Sequence, residues 1–277
     1  MSASPSASSP SPAPSAVVAR LRAAGCVFAE DEARLLVSTA GTAAELTAMV
    51  DRRVAGLPLE HVLGWAEFRG LRIAVDPGVF VPRRRTEFLV REAVALARPN
   101  AVVVDLCCGS GALGAALAMA LDRAELYATD IDPAAVRCAR RNVDAVGGRV
   151  YEGDLYDPLP GALRGRVDVL LANVPYVPTE EVGLLPPEAR IHEARVALDG
   201  GADGLDVLRR VTAAAPDWLA PGGSLLVETS ERQAPLAVET FARSGLVPRV
   251  ARSEELYATV VVGTGPGGTG GAQPIQR

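Results

Sequence analysis

Val102-Val103-Val104-Asp105-Leu106-Cys107-Cys108-Gly109-Ser110-Gly111 is an apolar run that closes on an acid and a small-residue turn with two glycines. Three β-branched residues in a row suit a strand buried on both faces. Ala112 to Leu121 follows, apolar nearly all round and rich in small residues, the pattern of a helix packed close to its neighbours. Strand, glycine turn and helix make the first half of a βαβ unit, and the chain then repeats the alternation. Leu126–Thr129 is a second strand ending at Asp130, and Asp132-Pro133 opens a helix with a cap and a proline at its first position. Arg149–Tyr151 is a short third strand before Asp154, and Val167–Ala172 a fourth before Asn173. Helices are expected over 205–219 and 234–244, with a fifth strand over 224–228 and closing strands over 247–250 and 257–262. Regular alternation of this kind predicts an α/β domain with a parallel, doubly wound sheet.

Four successive strand ends carry a polar residue: Asp105, Asp130, Asp154 and Asn173. In open α/β sheets, ligands bind outside the carboxyl ends of the strands, where the strand order reverses. The Gly109-Ser110-Gly111 turn lets a ligand approach the backbone closely. Asp130 stands at the distance from that turn at which an acid after the second strand grips ribose hydroxyls. A dinucleotide fingerprint would place glycine where Cys107 stands, and no basic residue in the turn suits a phosphate. Asp105 would repel one. An acid before the turn suits a cationic nucleotide such as S-adenosylmethionine. The paired cysteines read as small residues filling a crowded turn.

Asn173-Val174-Pro175-Tyr176 then supplies two acceptors, the Asn173 amide and the Val174 carbonyl, beside a flat aromatic face. Pro175 fixes φ and stiffens the turn. That set suits an –NH2 on a planar group, either an exocyclic amine of a base or a carboxamide.

Outward from this core, residues 1–15, which after Met1 are all Ser, Ala and Pro, are expected to be a disordered tail. Residues 16–64 read as a small helical domain, with Thr42-Ala43-Ala44-Glu45 a capping-box signature. Residues 65–82 read as a β-hairpin linker around Gly70 and Asp76-Pro77-Gly78. The α/β domain spans 83–262, and a Gly-rich flexible tail 263–277. The Arg83-Arg84-Arg85 run is either a solvated face or a grip on an acidic partner.

The net charge is −5 and every basic residue is arginine. An acidic chain lacks the broad basic footprint of non-specific nucleic-acid binding. Four cysteines show no paired framework, which fits a reducing, cytoplasmic location. His61 and His192 are too few and too far apart for a metal site. No signal-peptide pattern opens the chain, and no apolar run reaches the ~18 residues of a membrane helix.

From Pro58 to Val262 the chain resembles the protein-glutamine N5-methyltransferases of the HemK/PrmC type. The likeness rests on Pro58–Gly64, Val75–Arg83, Thr86-Glu87, Asp105–Gly111, Thr129–Asp132, Asn173–Tyr176 and Leu198–Leu205. It implies a class I S-adenosylmethionine-dependent methyltransferase, with a mostly parallel seven-stranded sheet. The expected reaction methylates the glutamine of a Gly-Gly-Gln motif in peptide chain release factors. By position, Thr86 should meet the methionine carboxylate of the cofactor. Asp105 and the turn Cys107, Cys108, Gly109, Ser110 and Gly111 should line its methionine and ribose. Asp130 and the adjoining Ile131 should sit at the ribose, and Asp154 with Leu155 at the adenine edge. Asn173 and Val174 should accept from the target amide, with Pro175 shaping the turn and Tyr176 packing on the amide plane. The chain departs from the family's Asn-Pro-Pro-Tyr at Val174 and from Arg-Pro-x-Thr-Glu at Arg84, and its helical domain is short. The alternative substrates are adenine N6 or another exocyclic amine of a nucleic acid. A silent cofactor-binding module and a nicotinamide dehydrogenase are the remaining readings.

Overall fold

Residues 13–267 are described by a computed structural model; the outer parts of the two expected tails, 1–12 and 268–277, lie outside it. The chain begins with α1 (Pro14–Ala23), α2 (Ala29–Thr39), α3 (Ala43–Val54) and α4 (Leu59–Leu63). Their facing residues, among them Val17, Leu21, Leu36, Leu46 and Met49, form a core of their own. Helix α1 starts inside the segment expected to be a tail, because a proline at the first helical position gives up no needed amide. Thr42 caps α3 by accepting from the Glu45 amide at 3.1 Å, and the Glu45 carboxylate accepts from the Gly41 amide, one residue before the cap.

Strands β1 (Trp65–Phe68) and β2 (Leu71–Ala74) pair antiparallel. Arg69 and Gly70 between them both have positive φ, 50° and 75°, the two-residue turn whose twist matches a hairpin.

The remaining elements are α5 (Glu87–Leu96), β3 (Val102–Leu106), α6 (Ala112–Ala120), β4 (Glu125–Asp130), α7 (Pro133–Val143), β5 (Arg149–Glu152), β6 (Val167–Ala172), α8 (Pro187–His192), α9 (Asp206–Trp218), β7 (Leu219–Thr229), α10 (Ala234–Arg243), β8 (Val247–Ser253) and β9 (Ala258–Thr264). Seven strands form one sheet in the order β5-β4-β3-β6-β7-β9-β8, with β9 antiparallel to both neighbours. Alternate residues feed opposite layers: Val103, Val169, Leu171 and Leu226 on one face, Val102, Val104, Leu170 and Leu225 on the other. The last strand continues to Thr264, two residues into the expected C-terminal tail.

Strand order reverses between β3 and β6. From β3 the chain steps outward to β4 and β5, then returns to β6 on the other side of β3. The register aligns the carboxyl ends at this point: Leu106 lies opposite both Thr129 and Ala172, and Asp130 opposite Glu152. Cys107, Asp130 and Asn173 are thereby brought to one edge. Between Asn173 and α9, a stretch in which the sequence predicted no element holds α8 and 3₁₀ turns at Thr179–Leu184 and Arg195–Ala197. Pro178, Pro186 and Pro187 interrupt any longer period there.

Candidate functional site

A cleft of about 500 Å³ opens at this edge. Of the residues the sequence singled out, Thr86, Cys107, Cys108, Gly109, Ser110, Asp130, Ile131, Asp154, Leu155 and Asn173–Tyr176 line it. Asp105 and Gly111 do not. Asp105 is 1% exposed and accepts from the Gly114 amide in the first turn of α6 at 2.9 Å. Burial raises its pKa to about 7. Gly111 faces α7: a Cβ there would lie 2.7 Å from Val143, so this glycine serves helix packing rather than ligand approach.

The turn is fixed by Asp130, whose two oxygens accept from the Gly109 amide at 2.8 Å and the Asp132 amide at 2.9 Å. Burial raises its pKa against these two bonds. Cys107 and Leu155 both take left-handed backbone, φ 53° and 48°, which L side chains rarely adopt. The Leu155 carbonyl is held by the buried Thr129 hydroxyl at 2.8 Å. Strained backbone on two sides of one cleft is the pattern of a ligand clamp. Burial pushes both the Cys107 and Cys108 thiols upward, so neither is a thiolate nucleophile near neutral pH. Asp154 pairs with Arg210 of α9 at 2.6 Å.

Two side-chain oxygens in the cleft wall are buried with no partner: Thr86 Oγ1 and Asn173 Oδ1. Such atoms cost stability unless a ligand satisfies them. One lies on the arginine-rich turn and the other at the end of β6, two separate parts of the cleft wall. No arginine or lysine stands in the glycine turn, and Asp130 is at its mouth, which fits a nucleoside bearing a sulfonium rather than phosphates. The residues present therefore fit S-adenosylmethionine.

The loop Asn173–Tyr176 is held from behind. The Val177 amide donates to the Leu198 carbonyl at 3.1 Å and the Gly200 amide to the Val177 carbonyl at 2.8 Å. A Cβ on Gly200 would lie 2.6 Å from the Pro175 carbonyl oxygen, and one on Gly204 (φ 78°) 2.3 Å from that of Tyr176. Gln233, 5% exposed, donates to the Tyr176 carbonyl at 2.9 Å and the Asp203 carbonyl at 3.0 Å. Val174, where the resembled family has proline, is 2% exposed and packs into the core with Ala172 and Leu205. Its stiffness thus comes from burial and from the glycine loop rather than from a pyrrolidine ring.

Arg85 Nη2 donates to the Tyr176 hydroxyl at 2.7 Å and its Nε to Glu228 Oε1 at 2.9 Å. Tyr176 in turn points its hydroxyl at Glu228 Oε1, 3.4 Å away. Arg83 pairs with Glu193. These two arginines, expected to face solvent or an acidic partner, grip acids of their own chain. The sequence marked Arg85 only as part of an arginine run and Leu198 only as the start of a motif; Glu228, Gln233 and the wall from Leu185 to Ala197 carried no expectation as site residues. Glu228 carried a signal: it closes the fifth strand as Asp105, Asp130 and Asn173 close others.

A family model for the methyltransferase small domain matches residues 70–203. A release factor glutamine methyltransferase of Geobacter sulfurreducens is 42% identical over 199 residues, 71% of this chain and 69% of that protein. A 4-amino-L-phenylalanine/4-methylamino-L-phenylalanine methyltransferase of Streptomyces pristinaespiralis is 38% identical over 205 residues, 71% of this chain and 69% of that one. Among solved structures, a methyltransferase from Pyrococcus furiosus superposes with a TM-score of 0.54 at 18% identity, over 79% of this chain and 98% of that one, a likeness of fold.

Proposed function

This chain belongs to the family of release factor glutamine methyltransferases, and on that premise we propose that it transfers a methyl group from S-adenosylmethionine to the side-chain amide nitrogen of a glutamine in a peptide chain release factor. The observation that carries the reading is the unpartnered, buried Asn173 Oδ1 in the wall of the cofactor cleft.

An amide nitrogen is a poor nucleophile because its lone pair is delocalised into the carbonyl. Asn173 Oδ1 and the Val174 carbonyl accept from its two hydrogens, which returns electron density to nitrogen and aims it. Tyr176 packs on the amide plane, its ring set by Arg85 and Glu228. Thr86 would hold the methionine carboxylate of the bound cofactor, Asp130 the ribose hydroxyls, and Asp154 with Leu155 the adenine edge. Asp105 serves from beneath by anchoring α6. The bound cofactor supplies a methyl carbon on a positively charged sulfur, already a good leaving group. Positioning is then the main lever, worth roughly 7–11 kcal/mol when reacting groups are well aligned. The protein needs no thiolate or imidazole base.

The relative from Streptomyces pristinaespiralis, whose name gives an aryl amine as acceptor, supports a second reading in which the –NH2 sits on an aromatic ring. The net charge of −5 counts against a nucleic acid acceptor. Action on the translation machinery, together with four cysteines of which none is paired, points to the cytoplasm. No helix among the described residues is long and apolar enough to cross a membrane.

Incubation with labelled cofactor and intact release factor should add the mass of one methyl group to the glutamine of its Gly-Gly-Gln motif. Label appearing in 4-aminophenylalanine or in nucleic acid, and none in protein, would replace the glutamine reading.

A further inference from the structure

A second cleft, about 480 Å³, lies on the other side of Tyr176. Arg85 and Tyr176 line both clefts, so they form the wall between them. Its other side is built from the end of β7 and the β8–β9 turn. We propose that this second cleft seats the main chain of the acceptor protein next to the target glutamine, whose side chain then reaches past Tyr176 into the first cleft; the proposal rests on the glutamine reading above.

Three features argue for a peptide occupant. The first is hydrogen-bonding character. Glu228 is 2% exposed and Thr229 6%, and each has a buried oxygen, Oε2 and Oγ1, with no partner. Orphaned acceptors at the floor of a cleft match backbone N–H groups, and a main chain of small residues brings its amides closest. The second is charge. Glu228, Glu231 and Glu254 outnumber Arg85 and Arg252 here, and Arg252 is itself drawn to Glu231 at 3.8 Å. An excess of acid repels a phosphodiester chain and leaves a peptide unhindered. The third is the rim. Tyr257 is 91% exposed on left-handed backbone, φ 49°, and so presents a bare aromatic face in a backbone state costly for its residue type. An exposed tyrosine beside a polar floor is the usual make-up of a peptide-binding surface.

The test compares two acceptors: a short peptide containing Gly-Gly-Gln, and N-acetyl-glutamine amide, which has no neighbouring residues to place in the second cleft. The variants are Thr229→Val, which keeps shape and strand preference, and Tyr257→Gly, which suits the left-handed backbone. The quantity read is the ratio of kcat/KM on the peptide to kcat/KM on the minimal acceptor. Wild-type enzyme should favour the peptide, and each variant should lower that ratio about three- to tenfold, the worth of one hydrogen bond or one packed ring face. Cofactor affinity by calorimetry on the same preparations reports an intact fold. A ratio that stays at the wild-type value in both variants, or a wild-type enzyme that treats the two acceptors alike, overturns the second cleft as a peptide site while leaving glutamine methylation standing. Intact release factor is assayed alongside: a wild-type enzyme that modifies it but neither small acceptor overturns the second cleft as a site for the main chain next to the glutamine, and one that modifies none of the three removes the glutamine reading and this proposal together.

Discussion

Asn173 and Thr86 hold the same physical position: a side-chain oxygen enclosed by protein and satisfied by none of it. Removing such a group should spare the fold and strike the ligand. Asn173→Ala is expected to lower kcat on the order of a hundredfold, the cost of misplacing a reacting group, while calorimetric cofactor affinity changes little. Thr86→Val should do the reverse, weakening cofactor binding about tenfold, as loss of one hydrogen bond to a charged group implies; equal losses of kcat in the two variants would contradict the assigned roles. Asp105 makes a pH-dependent prediction. Its folded pKa, about 7, stands above its ordinary value of 3.8. Below 3.8 both states hold the proton. Between 3.8 and 7 the unfolded chain ionises while the folded protein keeps its proton, so stability falls as pH rises, by at most about 4 kcal/mol. Above 7 the loss levels off. Asp105→Asn keeps an acceptor for the Gly114 amide and lacks this slope. Melting curves of the two proteins should therefore diverge in the variant's favour between about pH 5 and pH 7.

At the scale of elements, the Asn173–Tyr176 loop has its shape imposed by the loop behind it. Gly200 and Gly204 leave room for the Pro175 and Tyr176 carbonyls, and Gln233 ties the Tyr176 carbonyl to that of Asp203. Gly204→Ala would set a Cβ 2.3 Å from the Tyr176 oxygen on backbone with φ 78°. A loss of roughly 1–3 kcal/mol in denaturant unfolding is expected, with kcat falling further than cofactor affinity. A variant of wild-type stability and turnover would show that the loop does not depend on this contact. The sequence marked Leu198–Leu205 as a motif through family resemblance alone; the close approach of two carbonyls is its physical cause.

Across the whole molecule, Arg53 links the helical domain to the wall of the first cleft. Its Nε donates to Glu32 at 2.6 Å and its Nη1 to Glu188 at 2.6 Å, and Glu188 lines that cleft. The Arg53 and Glu32 side chains are each 11% exposed. His61, 3% exposed, contacts the Val79 carbonyl at 2.8 Å and ties the helical domain to the hairpin linker. Arg53→Ala should leave Glu32 buried without its partner, at a cost of up to about 3–5 kcal/mol. Hydrogen exchange should speed up first in α2 and α3, and exchange rising uniformly over the sheet as well would count against a separate helical core.

Local pattern alone determined the strands, the glycine turn and the polar residue at the end of each, because period and turn chemistry act over a few residues. Asp130, Asn173 and the glycine turn were legible for that reason, and the parallel sheet follows from their repetition. Packing across the fold set which of these residues line the cleft. It turned Asp105 beneath α6 and Gly111 against α7, since the direction of a strand-end side chain depends on the helix packed over it. Arg85, Glu228 and Gln233 met Tyr176 across long separations in sequence, through the register of β6 on β7 and the crossing of α5 and α10 over the sheet. No spacing along the chain encodes such meetings, which exist only once the sheet has brought distant strand ends to a common edge.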